Sequence, residues 1–256
     1  MQLTCRTKKK NMNNEEINIT ETKIDRSKCY GQVELQVIGQ PQDIVYNLDL
    51  MDALKCMPDC SVNFAFSDPP YNKGKDYGVY KDNLPDSEYW MWVKSFIAEY
   101  RRISNNNIGM FVGADIIKGY WDLMPDAKLI VVRKGAIGTP FKDYYRQYSG
   151  FLCTVPPNKT IYDLWWDIKQ PGEGYFFREE RFPHPGLTSL KLTQRILNYF
   201  TKKGQIVFDG FMGTGTTAIA CKHLERHYIG CEVNPAYIDI YEQRLKNYDD
   251  QMRLSL

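Results

Sequence analysis

The sequence lacks the features that mark several common protein classes. No apolar run approaches the roughly 18 residues that a membrane helix needs, and no apolar core of a secretory signal follows the basic N-terminus. We therefore expect a cytoplasmic protein without membrane contact. The seven cysteines form no C-x-x-C pair, which argues for reduced thiols and against a disulfide framework or a zinc site. Of the three histidines, His223 and His227 could share a helix face, but no third ligand is evident and no metal is predicted.

The net charge is only +2, but charged and aromatic residues are unevenly distributed. Residues 133–203 contain twelve Lys or Arg against six Asp or Glu, so the rest of the chain is acidic. Residues 141–182 contain twelve aromatic side chains, about double the density of the whole chain, which is 14% aromatic. Such a surface can neutralise phosphates and stack on bases. A solvated charged face over an aromatic core would have the same composition; we favour nucleic-acid binding.

Short apolar runs alternate with helix-like stretches along most of the chain. Residues 1–28 are predicted to be a polar N-terminal tail and residues 29–256 a single domain. The predicted strands are 44–46, 62–66, 108–112, 129–132, 150–155, 206–208 and 228–231, and the predicted helices are 51–57, 86–103, 115–124, 188–202, 216–225 and 235–247. This alternation predicts an α/β fold, with a mostly parallel sheet covered by helices on both faces.

The stretch S-D-P-P-Y-N (67–72) follows the predicted strand 62–66. Its two prolines fix their own φ and remove two amide donors, so neither a helix nor a sheet ladder continues through it. Ligands of parallel sheets bind at the carboxyl ends of strands, where this stretch falls. Taken alone, it is as consistent with a simple strand end as with a functional site.

A second signal lies in residues 205–235, where a predicted strand, a glycine loop, a helix and another strand follow one another. Gly213 and Gly215 allow a tight turn and the close approach of a ligand, and the two threonines that follow can satisfy the first amides of the helix. Glu232 ends the second strand, where an acid can bind two ribose hydroxyls. The combination predicts an adenosine-binding site.

Two enzyme classes share this pattern, and a third does not fit it. A nicotinamide dehydrogenase would use Gly213, Gly215 and Ala218 as its pyrophosphate fingerprint, with Glu232 on the ribose. A P-loop NTPase is excluded, because no G-K-[ST] follows the glycines. Asp209, just before the loop, would repel a pyrophosphate but suits a ligand with a cationic amino acid moiety. S-adenosylmethionine is such a ligand.

The tetrapeptide Asp68-Pro69-Pro70-Tyr71 and the loop at 208–217 together resemble the amino-methyltransferases of DNA, which alkylate N6 of adenine or N4 of cytosine. The resemblance spans residues 44–245, and the tetrapeptide precedes the loop as in the circularly permuted beta class. It implies the circularly permuted, Rossmann-like fold of methyltransferases that use S-adenosylmethionine, with a mostly parallel seven-stranded sheet. A small target-recognition region is expected at about 136–183.

The resemblance also implies three sets of site residues. The catalytic set is Asp68, Pro69, Pro70 and Tyr71. The cofactor-binding set is Asp49, Asp68, His184, Ser189, Asp209, Phe211, Gly213, Gly215, Thr216, Thr217, Glu232 and Asn234. The DNA-binding set is Lys73, Arg133, Lys134, Lys142, Tyr145, Arg146, Trp165, Trp166, Arg178 and Arg181. The sequence departs from the family at Gly186, Thr188 and Ser189, which replace the commoner Thr, Lys and Pro, and at Leu48, which replaces a Gly.

The function implied is direct methyl transfer from S-adenosylmethionine to N6 of a flipped-out adenine, leaving S-adenosylhomocysteine and using no metal. Asp in the first position of the tetrapeptide favours adenine over the alternative, N4 of cytosine. The partner is double-stranded DNA, with a cognate restriction endonuclease and a homodimer as further partners of a prokaryotic or phage protein. An NAD-dependent oxidoreductase and a nucleic-acid-binding protein with an inactive methyltransferase fold are the other hypotheses.

Overall fold

The computed structural model describes residues 8–10, 16–18, 43–133, 139–141, 144–146, 148–167 and 188–254. Two small antiparallel sheets stand apart from the main one: β1 (Lys8–Lys10) pairs with β2 (Glu16–Asn18), and β7 (Thr139–Phe141) pairs with β8 (Tyr144–Arg146). The first lies within the predicted polar tail and the second within the predicted target-recognition region.

The main sheet has eight strands in the order β10-β6-β9-β5-β4-β11-β12-β3. They are β3 (Ile44–Tyr46), β4 (Phe64–Ser67), β5 (Ile108–Gly113), β6 (Lys128–Arg133), β9 (Tyr148–Cys153), β10 (Leu164–Trp165), β11 (Ile206–Asp209) and β12 (His227–Cys231). Only β9 runs against its neighbours, pairing antiparallel with both β5 and β6. The prediction of a mostly parallel sheet is confirmed, with one strand more than the seven expected.

The described residues contain six helices, of which five lie between strands in sequence and α6 follows the last strand. They are α1 (Leu50–Cys56), α2 (Asp86–Ser104), α3 (Ile117–Leu123), α4 (Leu190–Phe200), α5 (Thr216–His223) and α6 (Pro235–Leu254). Each corresponds to a predicted helix, and α6 continues seven residues beyond its predicted end at residue 247.

The sheet separates two apolar cores, as the alternation of side chains along a strand requires. On β4, Phe64 and Phe66 point into the core that α4, α5 and α6 cover, whereas Ala65 points into the core under α1, α2 and α3. All four residues of β4 are buried. A strand buried on both faces is typical of a parallel sheet covered on both sides, and it explains why these strands read as continuous apolar runs.

The cysteines correct one expectation. Cys60, Cys153, Cys221 and Cys231 are free thiols, but Cys56 is disulfide-bonded, which the odd cysteine count did not predict. Within the described ranges, no three His, Cys, Asp or Glu side chains cluster as metal ligands would. Nor is any helix of those ranges both long and apolar enough to cross a membrane.

Candidate functional site

One cavity lies at the carboxyl ends of three adjacent strands of the main sheet. β11 pairs in parallel with β4 on one side and with β12 on the other, so the residues that follow these three strands meet at one edge. The cavity is lined by the whole of Asp68–Tyr71, by residues 209–214 and by Glu232. The tetrapeptide and the glycine loop are about 140 residues apart in sequence, and the parallel register brings them together.

Asp68 is held by two hydroxyl groups. The Tyr71 hydroxyl donates to Oδ1, and the Thr188 hydroxyl donates to Oδ2 at 2.7 Å. Each carboxylate oxygen can accept a second hydrogen bond, so both keep a lone pair for another donor in the cavity. The carboxylate therefore has a fixed plane and free acceptor capacity.

Tyr71 and Pro70 are held by hydrogen bonds to neighbouring side chains. Burial and the nearby charge of Asp68 raise the pKa of Tyr71 well above its usual value, so its hydroxyl stays protonated and donates. The Pro70 carbonyl accepts from the Tyr89 hydroxyl at 3.2 Å, and Tyr89 in turn contacts the Tyr120 hydroxyl at 3.0 Å. The tetrapeptide is therefore held in place by a hydrogen bond from Tyr89 of α2, which itself contacts Tyr120 of α3.

Asp209 ends β11 as a buried carboxylate with three donors. Its Oδ1 accepts from the Ser67 hydroxyl and from the Phe211 amide, both at 3.0 Å, and its Oδ2 accepts from the Thr217 hydroxyl at 2.6 Å. Burial raises the pKa of Asp209 to about 6, and these three hydrogen bonds oppose that shift. A positively charged group in the cavity would favour its ionised form.

The glycine loop links this carboxylate to the next strand. Gly213 and Gly215 have φ of 52° and 83°, the left-handed conformation that glycine adopts without steric cost. The Gly213 amide donates to Glu232 Oε2 and the Asn234 amide donates to Glu232 Oε1, both at 2.9 Å. Burial raises the pKa of Glu232, and the backbone amides counteract the rise.

The wall between these acids is apolar and aromatic. Phe211 packs edge-on against Trp92 and Phe96 with ring centroids 5.7 Å away in each case, and Tyr80 stacks on Trp92 at 6.2 Å. Asp49 closes the same wall, where its side chain caps α1 by accepting the Met51 amide at 2.8 Å. A flat apolar ring with polar edges fits such a slot.

Most of the predicted cofactor residues line the cavity, and three do not. Those that line it are Asp49, Asp68, Asp209, Phe211, Gly213, Thr216, Thr217 and Glu232. Gly215 lies behind the loop, at the start of α5. Ser189 is fully buried at the start of α4, where its carbonyl accepts the Thr193 amide, and its neighbour Thr188 lines the cavity.

Asn234 does not line the cavity either, and both ends of its side-chain amide bond to the chain itself. Its Oδ1 accepts the Ala236 amide at the start of α6, and its Nδ2 donates to the Tyr77 carbonyl at 2.9 Å. His184 lies outside the described residues.

The predicted DNA-binding residues divide into three groups. Lys134, Lys142, Arg178 and Arg181 lie outside the described residues, and Tyr145 and Arg146 lie on β8, where only the backbone is described. Arg133 is exposed at the end of β6, and Trp166 is 67% exposed. Lys73 is half exposed and forms an ion pair of 2.6 Å with Asp115.

Trp165, predicted as a DNA contact, lies in the core. It is 3% exposed, its ring packs against Tyr199 with centroids 5.8 Å apart, and its indole N–H donates to the Tyr162 carbonyl at 2.9 Å. On a strand, neighbouring side chains point to opposite sides, so Trp165 enters the core while Trp166, just beyond β10, remains in solvent.

Two features of the site were missed in the sequence. Thr188 was noted only as a departure from a family pattern, and nothing local indicated that its hydroxyl would meet Asp68, 120 residues away. The aromatic wall of Tyr80 and Trp92 lies on a loop and a helix without a motif. Tyr80 lies eight residues after S-D-P-P-Y-N, which is a signal for the aromatic wall, whereas no sequence signal points to Thr188.

The chain is similar to a protein family and to several known proteins. The family model N6_N4_Mtase, described as DNA methylase, matches residues 133–243. The Bacillus amyloliquefaciens "Orphan methyltransferase M.BamHII" is 45% identical over 242 residues, covering 74% of this chain and 91% of the relative. The Haemophilus parainfluenzae "Type II methyltransferase M.HpaI" is 28% identical over 232 residues, covering 75% of this chain and 71% of the relative.

Solved structures share the fold at lower identity. The M1.HpyAVI-SAM complex superposes with a TM-score of 0.57 at 24% identity, covering 78% of this chain and 98% of that one. The PvuII DNA methyltransferase, described as cytosine-N4-specific, has a TM-score of 0.60 at 15% identity, covering 80% of this chain and 88% of that one.

Proposed function

The chain belongs to the N6/N4 family of DNA methylases, and from this premise we propose that it transfers a methyl group from S-adenosylmethionine to N6 of adenine in double-stranded DNA. The observation that carries the proposal is the shared cavity. Asp68 and its tetrapeptide form one side of it, and Asp209, the glycine loop and Glu232 form the other. Such a cavity holds an acceptor amine and a methyl donor next to each other.

The side of the cavity formed by Asp209, the glycine loop and Glu232, here called the donor half, fits S-adenosylmethionine by charge and shape. Glu232 has one amide on each oxygen and keeps lone pairs for the two ribose hydroxyls. Phe211 and Leu48 offer apolar surface for the adenine ring, and Asp209 offers a carboxylate for the cationic amino group. When bound, this cofactor supplies an electrophilic methyl group on its sulfonium.

The side of the cavity formed by the tetrapeptide, here called the acceptor half, can raise the reactivity of a base amine. Such an amine is a poor nucleophile because its lone pair is delocalised into the ring. Asp68 and the Pro69 carbonyl each accept one N–H of that amine, so its nitrogen becomes pyramidal and its lone pair is localised. The Tyr71 and Thr188 hydroxyls keep the Asp68 carboxylate in one orientation. Asp68 also stabilises the positive charge that develops on the nitrogen.

A base in a duplex cannot reach this cavity, so it must leave the stack. Tyr71 supplies an aromatic face beside Asp68 for the extruded base. Target recognition is assigned to residues 136–183, with Arg133 and Trp166 as exposed contacts at the border of that region. Lys73 is proposed as a weaker contact, because it forms an ion pair with Asp115.

Adenine is proposed as the target because Asp68 occupies the first position of the tetrapeptide. Cytosine N4 is the second candidate, favoured by the fold shared with an enzyme described as cytosine-N4-specific. The experiment is methylation of duplex DNA of varied sequence with labelled S-adenosylmethionine, followed by nucleoside mass spectrometry. N6-methyladenine supports the proposal, N4-methylcytosine replaces it with the second candidate, and the absence of both refutes it.

Two partners remain proposals. A restriction endonuclease is supported by the Type II name of the Haemophilus relative, whereas the Bacillus relative is named an orphan. A homodimer would add a second copy of a short recognition region. Sedimentation of the protein with and without DNA measures its oligomeric state.

A further inference from the structure

Asp82 is a buried carboxylate outside the cofactor cavity. It is 2% exposed and lies ten residues after Asn72, the residue that follows the tetrapeptide. Four consecutive backbone amides turn towards it. Those of Asn72, Lys73 and Lys75 donate to its carboxylate at 2.7, 3.0 and 3.2 Å, and that of Gly74 donates to its carbonyl at 2.6 Å.

The backbone of residues 72–75 is shaped for this anion. Asn72 and Gly74 have φ of 56° and 70°, so left-handed residues occur at alternate positions and the amides converge. The Asn72 side chain closes the same turn, because its Nδ2 donates to the Leu84 carbonyl at 2.8 Å and its Oδ1 accepts the Leu84 amide at 2.7 Å. Residues 72–84, here called the strap, therefore form a closed loop fastened at its base.

The strap connects the two halves of the cavity. Its base continues directly from Tyr71, and Lys75, Tyr77 and Tyr80 line the cavity wall. Its tip is fastened to the donor half, where Asn234 Nδ2 donates to the Tyr77 carbonyl at 2.9 Å. A displacement of the base moves the tetrapeptide, whereas a displacement of the tip moves the wall next to Glu232.

We propose that Asp82 is a positioning residue for methyl transfer, whose carboxylate fixes the strap base and with it the tetrapeptide. The inference rests on the proposed function. A neutral side chain of the same shape cannot replace it: the amide group of Asn would turn an N–H₂ towards at least one of the backbone N–H donors. Because a misplacement of about 1 Å can reduce a rate on the order of 100-fold, the geometry of the base governs turnover.

The test compares three variants of the full chain. Asp82→Asn removes the carboxylate charge, and Asp76→Asn is its matched control, since Asp76 is exposed on the same strap and its side chain accepts the Gly78 amide two residues away. Asn72→Gly keeps the left-handed backbone but deletes both side-chain bonds to Leu84. For each protein, the cofactor-binding molecules are titrated calorimetrically, and kcat is expressed per binding-competent molecule.

The expected result is a fall in kcat of about 10- to 100-fold for Asp82→Asn, larger than its loss of cofactor affinity. Asn72→Gly lowers kcat in the same direction, and Asp76→Asn equals the wild type. A merely structural Asp82 would lower the fraction of competent molecules and leave their kcat unchanged, which overturns the inference. If Asp82→Asn yields no folded protein, unchanged kcat in Asn72→Gly overturns it. Absence of methylation by the wild type refutes the proposed function instead.

Discussion

The chemistry of this site depends on how single side chains are held. Asp68 has no charged partner among the hydrogen bonds described; two hydroxyls, from Tyr71 and Thr188, fix its carboxylate. Neutral donors orient an acid without cancelling the charge that the acceptor amine needs. Asp209 has the same design, with two hydroxyls and one backbone amide around a buried carboxylate.

Replacing Thr188 by Val tests the orientation of Asp68. Valine keeps the shape of the threonine side chain but cannot donate a hydrogen bond to Asp68 Oδ2. A hydrogen bond to a charged group contributes about 1.5–3 kcal/mol, so kcat should fall by roughly 10-fold or more. Thr188→Ser, which keeps the hydroxyl, is the control and should retain most of the activity. Equal rates for Thr188→Val and the wild type would remove Thr188 from the mechanism.

Cofactor binding should depend on pH through Asp209. Its pKa is raised to about 6 by burial, and a cationic ligand binds the ionised form, so affinity should fall as the pH drops through about 6 and level off near pH 7, above which the α-amino group of the ligand itself begins to lose its charge. The fall approaches about tenfold per pH unit below the pKa. Calorimetric titration between pH 5 and pH 8 measures this. Asp209→Asn should bind weakly without the pH dependence, and a pH-independent wild type would contradict the assignment.

The family resemblance led to most of the residues that line the cavity, but it named Ser189 where the structure has the neighbouring Thr188. Ser189 and Thr188 are adjacent hydroxyl residues, and only the turn into α4 decides which one faces Asp68. Trp165 and Trp166 differ in the same way, because the two-residue strand β10 points one inwards and leaves the other in solvent. Which of two neighbouring residues faces the cavity or the core is decided by tertiary packing, so residue types alone do not predict it.

At the scale of elements, strands and helices were predicted well because the sheet is buried on both faces. Apolar runs bounded by turn residues are then distinct, and the seven predicted strands match within two residues at each end. β10 was missed since two residues carry no periodicity. The strap was missed as well, because its order comes from Asp82 and Asn234 rather than from a regular element.

The glycine loop gives an element-scale prediction. At Gly215, with φ of 83°, a Cβ would lie 2.5 Å from the Tyr241 ring, so Gly215→Ala combines left-handed strain with a steric clash. At Gly204, with φ of 77°, a Cβ would meet nothing within 4 Å, which makes Gly204→Ala the matched control. Urea denaturation should show a loss of about 1–2 kcal/mol for the control and about 1–3 kcal/mol more for Gly215→Ala. Equal losses would show that Tyr241 moves aside freely.

At the scale of the molecule, the fold brings together motifs far apart in sequence. β4 carries the tetrapeptide and β11 the glycine loop, and their parallel pairing is what creates a shared cavity. The order of the two motifs along the chain and the mostly parallel sheet made this arrangement predictable. The recognition of a DNA sequence was not predictable, because base contacts depend on loop positions that no local pattern specifies.

At the border of the proposed recognition region, we expect Trp165 to affect stability and Trp166 to affect DNA binding. Trp165→Ala should destabilise the protein by about 3–5 kcal/mol, because it empties a buried site against Tyr199. Trp166→Ala should leave the urea midpoint unchanged and weaken binding of duplex DNA, because its ring is 67% exposed. Denaturation and fluorescence anisotropy on both variants check this. Normal DNA affinity in Trp166→Ala would exclude the residue from the interface.

The most direct measurement of the central claim is methyl transfer by Asp68→Ala compared with its cofactor binding. Labelled S-adenosylmethionine and duplex DNA report the transfer, and calorimetry reports the binding. The account predicts no detectable labelled N6-methyladenine, with cofactor affinity close to that of the wild type, since Asp209 and Glu232 on neighbouring strands are unchanged. Substantial turnover by Asp68→Ala, or loss of cofactor binding with intact chemistry on the bound fraction, would contradict it.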